Sequence, residues 1–219
     1  GKTGTTGRGI GPCYADKVSY NGIRLFDLME KKLFLEKLKI QVGIKNKIIK
    51  ALGGEEFSFE EVKKNYFFLF SKIKKFIIEP YQLIQKAIKN KKHILLEGAQ
   101  GVFLDNDFGT YPFVTASNTV SGNINAGAGV APQKIDTVIG VSKAYTTRVG
   151  DGPFPTELTD KTGEKLRTIG GEFGATTGRP RRCGWLDMEM VRFACKLNGF
   201  NKLAIAKLDI LDGFSEIKI

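Results

Sequence analysis

The feature that most constrains this chain is a change of texture at His93. Before it, residues 24 to 90 interleave Lys with Leu, Ile and Phe at helical spacing and look wholly helical. Phe26, Met29, Leu33, Ile40, Ile44 and Ile48 mark one amphipathic run, and a capping box at Ser58-Phe-Glu-Glu61 opens a second that reaches Ile78. Pro80 starts a third, through about Lys89. After His93, short apolar runs alternate with glycine-rich loops. His93-Ile-Leu-Leu-Glu97, Thr137-Val-Ile-Gly-Val-Ser142 and Leu203-Ala-Ile-Ala-Lys-Leu208 have the length and composition of buried strands. Leu186 to Asn198 reads as a helix with Gly199 as its C-cap. This order predicts an α/β fold: a mostly parallel central sheet with flanking helices and a lysine-rich helical lobe. The expected divisions are a glycine-rich loop with a short helix over 1–22, the helical lobe over 23–92 and the sheet region over 93–219, all within one domain.

Charge follows the same seam. Residues 24–92 hold 17 Lys and Arg against 8 Asp and Glu, nine of the net +11. Concentrated on helices, that excess reads as solvated faces, so nucleic acid is not an expected partner. No apolar run approaches the ~18 residues that span a bilayer, and no membrane partner is expected. Cys13, Cys183 and Cys195 form no Cys-x-x-Cys pair, which points away from a disulfide framework or zinc site and toward a reducing, cytoplasmic compartment. Gly1 opens inside a glycine-threonine loop, and Ser215-Glu-Ile-Lys-Ile219 resembles an unfinished strand. Both ends suggest a piece of a larger domain.

Four loops carry the chemistry-bearing groups. Glu97 to Thr115 places an amide, three acids and two threonines just after an apolar run; it is either an ordinary strand exit or a ligand loop at a strand's carboxyl end. There Gln100 offers donor and acceptor together, and Gly98, Gly101 and Gly109 allow tight turns and close approach. Gly4-Thr-Thr-Gly-Arg-Gly-Ile-Gly-Pro12 suits a phosphate, and Gly1-Lys2-Thr3 is compatible with the tail of a Walker A loop. Gly174-Ala-Thr-Thr-Gly-Arg-Pro-Arg-Arg182 is either an exposed basic turn or a socket for carboxylate and phosphate, the latter favoured because three clustered arginines left without anionic partners would repel one another. Lys207-Leu-Asp209 ends an apolar run as a plain strand terminus or as a guanine reader, with Asp209 accepting ring hydrogens and the Lys207 stem covering the ring. Lys17 reads as a surface lysine and His93 as structural.

Together, Gly4 to Lys17, Glu97-Gly-Ala-Gln-Gly101, Gly109-Thr-Tyr-Pro-Phe-Val-Thr-Ala-Ser-Asn118, Thr147-Arg-Val-Gly150, Gly152-Pro-Phe-Pro-Thr-Glu157 and Thr176-Thr-Gly-Arg-Pro-Arg-Arg182 resemble adenylosuccinate synthetase from end to end of the chain. The resemblance implies a GTP-dependent ligase joining IMP and L-aspartate through a 6-phosphoryl-IMP intermediate, the first committed step from IMP to AMP. It also implies magnesium, a cytoplasmic homodimer, and an IMP-phosphate role for the first loop. By the same resemblance Thr6, Gln100, Thr115, Val149, Gly150 and Arg179 contact IMP. Ala175, Thr176, Thr177, Gly178, Arg179, Pro180 and Arg181 form the aspartate loop. Arg181, Lys207, Leu208 and Asp209 serve GTP, and Lys17 matches a signature lysine with a catalytic role.

Two departures stand out. The family places an arginine, donated across its dimer, where this chain has Tyr20, and tyrosine cannot supply that charge. Nearby Arg24 is a candidate substitute. The family's catalytic Asp and His, its first phosphate loop and its magnesium ligands lie upstream of Gly1, so the piece alone is expected to be inactive. The competing readings are a truncated P-loop NTPase and a non-catalytic nucleotide- or RNA-binding module.

Overall fold

The computed structural model describes residues 7–174 and 178–219. The chain divides into two compact units, one formed by residues 9–83 and the other by 1–8 with 84–219.

The first unit is helical. Helix α1 (Ile10–Val18) is followed by a 3₁₀ turn (Leu25–Met29), α2 (Lys31–Ala51), α3 (Phe59–Ile73) and the start of α4 (Pro80–Lys89). Helix α3 begins at Ser58, whose hydroxyl accepts from the Glu61 amide, and Glu60 and Glu61 set negative charge against its N-terminus. The buried stripe differs from the expected one. Leu28, Phe34 and Leu38 form the core, with Val42, Phe59, Val62, Phe67 and Phe70 packed against it, whereas Phe26, Met29, Leu33, Ile40, Ile44 and Ile48 are exposed. The reason is a break in phase: the chain leaves helical geometry at Glu30 (φ −107°, ψ 89°), so a stripe counted through that point ends up on the wrong face of α2. Phe34 anchors the unit, with its ring 5.5 Å from Phe67 and 5.6 Å from Tyr66.

The second unit is α/β. Helix α5 (Ile124–Ala128) precedes strands β1 (Ile139–Lys143) and β2 (Thr146–Arg148); α6 (Lys161–Gly170), β3 (Arg182–Gly184), α7 (Met188–Asn198) and β4 (Lys202–Ala206) follow. β1 pairs in parallel with β4, from Ile139 opposite Lys202 to Lys143 opposite Ala206. A parallel pair requires a long crossover, and here it contains β2, α6, β3 and α7. β2 and β3 form an antiparallel pair, from Thr146 opposite Gly184 to Arg148 opposite Arg182. Asp160 caps α6 by accepting from the Thr162 and Gly163 amides, and Asp187 caps α7 through the Met190 amide. Gly171 and Gly199 close these helices in the left-handed region. The core consists of Ala144, Tyr145, Leu166, Cys183 and Leu211, with Leu158, Trp185, Ile210 and Phe214 packed against it.

The expected strands need correction. Residues 93–97 form no ladder, and Leu95 is 89% exposed, because an apolar run becomes a strand only where a neighbour satisfies its backbone, and none is paired with it among the described residues. β1 and β4 form as expected but are not buried: β4 is exposed along its whole length and β1 exposes Ile139 and Val141. Ser215 to Ile219 is likewise unpaired.

Candidate functional site

Because β1 and β4 run parallel and in register, their carboxyl ends arrive together, bringing Lys143 and Lys207 to the same edge. The segment that meets them is the end of α6. Its last turn closes at Gly170 and Gly171, and the next residue, Glu172, turns a fully buried carboxylate into the gap. One oxygen accepts from Tyr145 Oη at 2.6 Å and Lys207 Nζ at 3.0 Å; the other accepts from Lys143 Nζ and Arg181 Nη1, both at 2.7 Å. Lys207 also donates to the Gly170 carbonyl at 2.6 Å, where the C-terminal end of α6 favours positive charge. Burial opposes ionisation of Glu172, but hydrogen bonds from Lys143, Tyr145, Arg181 and Lys207 prevail and hold its pKa at about 2. Burial, assisted by the carboxylate, pushes the Tyr145 phenol up, and burial pulls Lys143 down despite its ion pair. Gly170 must be glycine, since a Cβ there would lie 2.3 Å from Tyr145 Oη.

A second buried carboxylate organises the loop after Gln100. Asp105 Oδ1 accepts from the Asp107 and Phe108 amides at 2.9 and 3.0 Å and from Asn118 Nδ2 at 3.3 Å. Its Oδ2 accepts from the Thr119 and Val120 amides at 2.5 and 3.2 Å. Burial alone would raise the Asp105 pKa; the backbone donors lower it below its ordinary value. The loop closes on itself further through Thr119 Oγ1 to the Gly101 carbonyl and the Thr115 amide to the Leu104 carbonyl, both at 2.8 Å. Gly109 fits only as glycine, a Cβ there meeting the Asp105 carbonyl at 2.4 Å. Gly98 and Gly101, by contrast, face open space without positive φ, and the residue that takes the left-handed conformation is Gln100 itself, at φ 60°.

Guanidinium groups tie these parts together. Arg148 Nη2 donates to Thr110 Oγ1 at 2.9 Å and to the Phe113 carbonyl at 3.2 Å, joining the loop to the end of β2. Arg182 donates to the Gly150 and Gly152 carbonyls at 3.1 and 2.9 Å and pairs through two nitrogens with Glu157. That guanidinium holds the Glu157 carboxyl below its usual range. Arg181 is fixed twice, by its side chain on Glu172 and by its amide on the Glu172 carbonyl at 2.9 Å. Repulsion among unneutralised arginines is therefore no argument for a ligand here: Arg181 and Arg182 have carboxylate partners inside the chain.

The Thr110–Thr115 loop, Gly150 and Arg181 belong to this hydrogen-bonded framework, and Lys207 joins it at Glu172. Gln100 and Val149 are exposed beside it. Gly178 donates to the Gly174 carbonyl at 2.7 Å, the Arg179 carbonyl accepts from the Gly174 amide at 2.8 Å, and Pro180 bridges to Phe173. Leu208 and Asp209 open a 3₁₀ turn and are exposed, whereas the Lys207 ammonium is directed at Glu172. Lys17 is an exposed residue of α1, with its ammonium 5.7 Å from the Tyr14 ring centroid, in the helical unit. Thr6, Ala175, Thr176 and Thr177 lie outside the described residues. Of the two acids that hold the framework, Glu172 escaped the sequence reading, its available signal being an acid beside a glycine-rich turn, and Asp105 was read only as one of the three acids of the 97–115 loop. Among the described residues no group of three or more His, Cys, Asp and Glu could hold a metal ion. No helix among them is long and apolar enough to cross a membrane.

Comparison with known proteins gives one family. Residues 1–219 match the profile of adenylosuccinate synthetase. Proteins of that name from Trichlorobacter lovleyi and Thermodesulfovibrio yellowstonii are 51% identical over 218 residues and 52% identical over 219. Each covers 100% of this chain with 51% or 52% of its own length, so the chain spans about half the length of the curated relatives it matches. The structure of fully ligated adenylosuccinate synthetase from Plasmodium falciparum superposes with a TM-score of 0.93 and 40% identity, covering 98% of this chain and 50% of that one.

Proposed function

Because this chain belongs to the adenylosuccinate synthetase family, we propose that the protein carrying it joins IMP and L-aspartate into adenylosuccinate, driven by GTP. The γ-phosphoryl group of GTP passes to O6 of IMP, and the aspartate amine then forms the bond to C6 as phosphate leaves, yielding adenylosuccinate, GDP and phosphate. Both steps move negative charge, so positioned cations and amides carry most of the catalytic effect. The observation that carries this reading is the superposition on the fully ligated Plasmodium protein across nearly the whole chain.

Within that reading, Thr6, Gln100, Thr115, Val149, Gly150 and Arg179 face IMP. Residues Ala175 to Arg181 receive aspartate, with Arg181 shared with GTP. Lys207, Leu208 and Asp209 read guanine, Asp209 being exposed and available to accept ring hydrogens. Lys17 is a phosphate contact. The protein works as a cytoplasmic homodimer with magnesium, for which no residue of this chain is assigned. Tyr20 stands at the sequence position of the family's cross-dimer arginine, and nearby Arg24, exposed like Tyr20, supplies that cation instead.

The test is a product assay on the full-length protein. Phosphate release from GTP should require IMP and aspartate together and match adenylosuccinate formed one for one. Phosphate release that proceeds without either co-substrate would overturn the proposal.

A further inference from the structure

The Glu172 cluster does something that neither substrate pocket needs on its own. Three cations, Lys143, Arg181 and Lys207, converge on one buried carboxylate, and they come from three separate places: the end of β1, the residue before β3 and the residue after β4. Placing a lone carboxylate there would be severely unfavourable, so the cluster persists only with its partners in place. Two of those partners are assigned above to overlapping sets of substrates. Arg181 belongs to the aspartate loop and the GTP phosphates, and Lys207 to guanine.

We infer that Glu172 is a positioning residue that links the aspartate and GTP sites, holding Arg181 and Lys207 in register so that binding at either site favours the other. The inference rests on the function proposed above. Its geometric basis is that the two side chains share no direct contact in the cluster but are bonded to opposite oxygens of the same carboxylate, at 2.7 and 3.0 Å. Rotating the carboxylate to follow one partner moves the acceptor of the other. Lys143 at the end of β1 and Tyr145 in the turn before β2, bonded one to each oxygen, fix the rest position of that carboxylate. Lys207 is itself held in the left-handed region, at φ 61°, a conformation that non-glycine residues adopt only when their surroundings require it. Here the requirement is met by the paired acceptors Gly170 O and Glu172. Coupling of this kind is reciprocal and appears in the affinities of both ligands.

The test uses the full-length protein and steady-state kinetics with each substrate varied in turn. Glu172→Gln keeps the side-chain volume, removes the charge and turns one oxygen into a donor facing cations. It should raise KM for aspartate and for GTP each about tenfold, the loss of roughly one charge-assisted hydrogen bond per site, with KM for IMP within about twofold. A fall in kcat alone, or a parallel rise in all three KM values, would mean a general structural role and overturn the inference. Because Arg181 alone is assigned to both substrates, Lys207→Met is the deciding variant whether or not Glu172→Gln folds. It removes a contact proposed for GTP only, yet should also raise KM for aspartate several-fold; an unchanged aspartate KM overturns the linkage. If the unmodified protein shows no ligase activity with all three substrates, the proposed function fails; if it is active but the variants lack this pattern, only the linkage fails.

Discussion

Replacing Asp105 with asparagine changes one atom and should open the loop that follows Gln100. Asp105 presents two acceptor oxygens to five donors: Oδ1 to Asp107, Phe108 and Asn118, and Oδ2 to the amides of Thr119 and Val120. Asparagine has one carbonyl oxygen, so whichever way its amide turns, two backbone N–H groups lose an acceptor and face another donor. A hydrogen bond to a charged group contributes about 1.5–3 kcal/mol, so two such losses come to about 3–6 kcal/mol of local stability. At tenfold per 1.4 kcal/mol, amide exchange at one of the two pairs should accelerate by two to four orders of magnitude, roughly 10²–10⁴. Residue-resolved hydrogen exchange of the full-length protein, with and without Asp105→Asn, measures this directly. In the unmodified protein the same amides should also lose protection in acid. The Asp105 pKa is lowered on folding, so its contribution is complete above its ordinary value of 3.8 and disappears as pH falls through the lower folded value. The variant should show no such limb. If exchange at Asp107, Phe108, Thr119 and Val120 all stayed within threefold of the parent, the loop would be held by something other than this carboxylate.

Two further outcomes follow from the packing and the charges. Phe34→Ala should cost about 3–5 kcal/mol of α2 stability, read as lost exchange protection in that helix, while Phe26→Ala, at a residue 72% exposed, should stay within about 0.5 kcal/mol. Equal effects at the two positions would contradict the buried stripe described here. The Glu172 cluster should also weaken in acid: its carboxyl is lowered from 4.5 to about 2 on folding, so its contribution is complete above pH 4.5 and drains away as pH falls toward 2. A carboxyl titration of Glu172 followed by NMR with a midpoint above 4 would contradict the cluster.

Local signals were legible wherever a few adjacent residues determine the outcome. Ser58 caps α3, Pro80 opens α4 and Gly199 closes α7 as the sequence indicates, since each acts within one turn of itself. That the sheet holds parallel strands was also readable, from the order of apolar runs around a helix, whereas the pairing of 137–142 with 203–208 came from the fold. The first helical stripe was not, because the non-helical backbone at Glu30 shifts the phase without a proline or glycine to announce it. The run 93–97 misled for the opposite reason: its composition suits a strand, but ladder partners are not a property of the run itself.

The sequence by itself determined the family, through glycine, arginine and threonine blocks whose order and spacing persist along the chain, and it determined the α/β class through the change of texture at His93. Only the tertiary structure decided which acids matter. Glu172 and Asp105 look like any other carboxylates in the sequence, and their standing comes from donors up to 35 residues away: Lys207 and Lys143 for one, Thr119 and Val120 for the other. A buried charge is defined by what surrounds it: for Asp105 that is the closure of its own loop, and for Glu172 it is the parallel strands that bring their ends together.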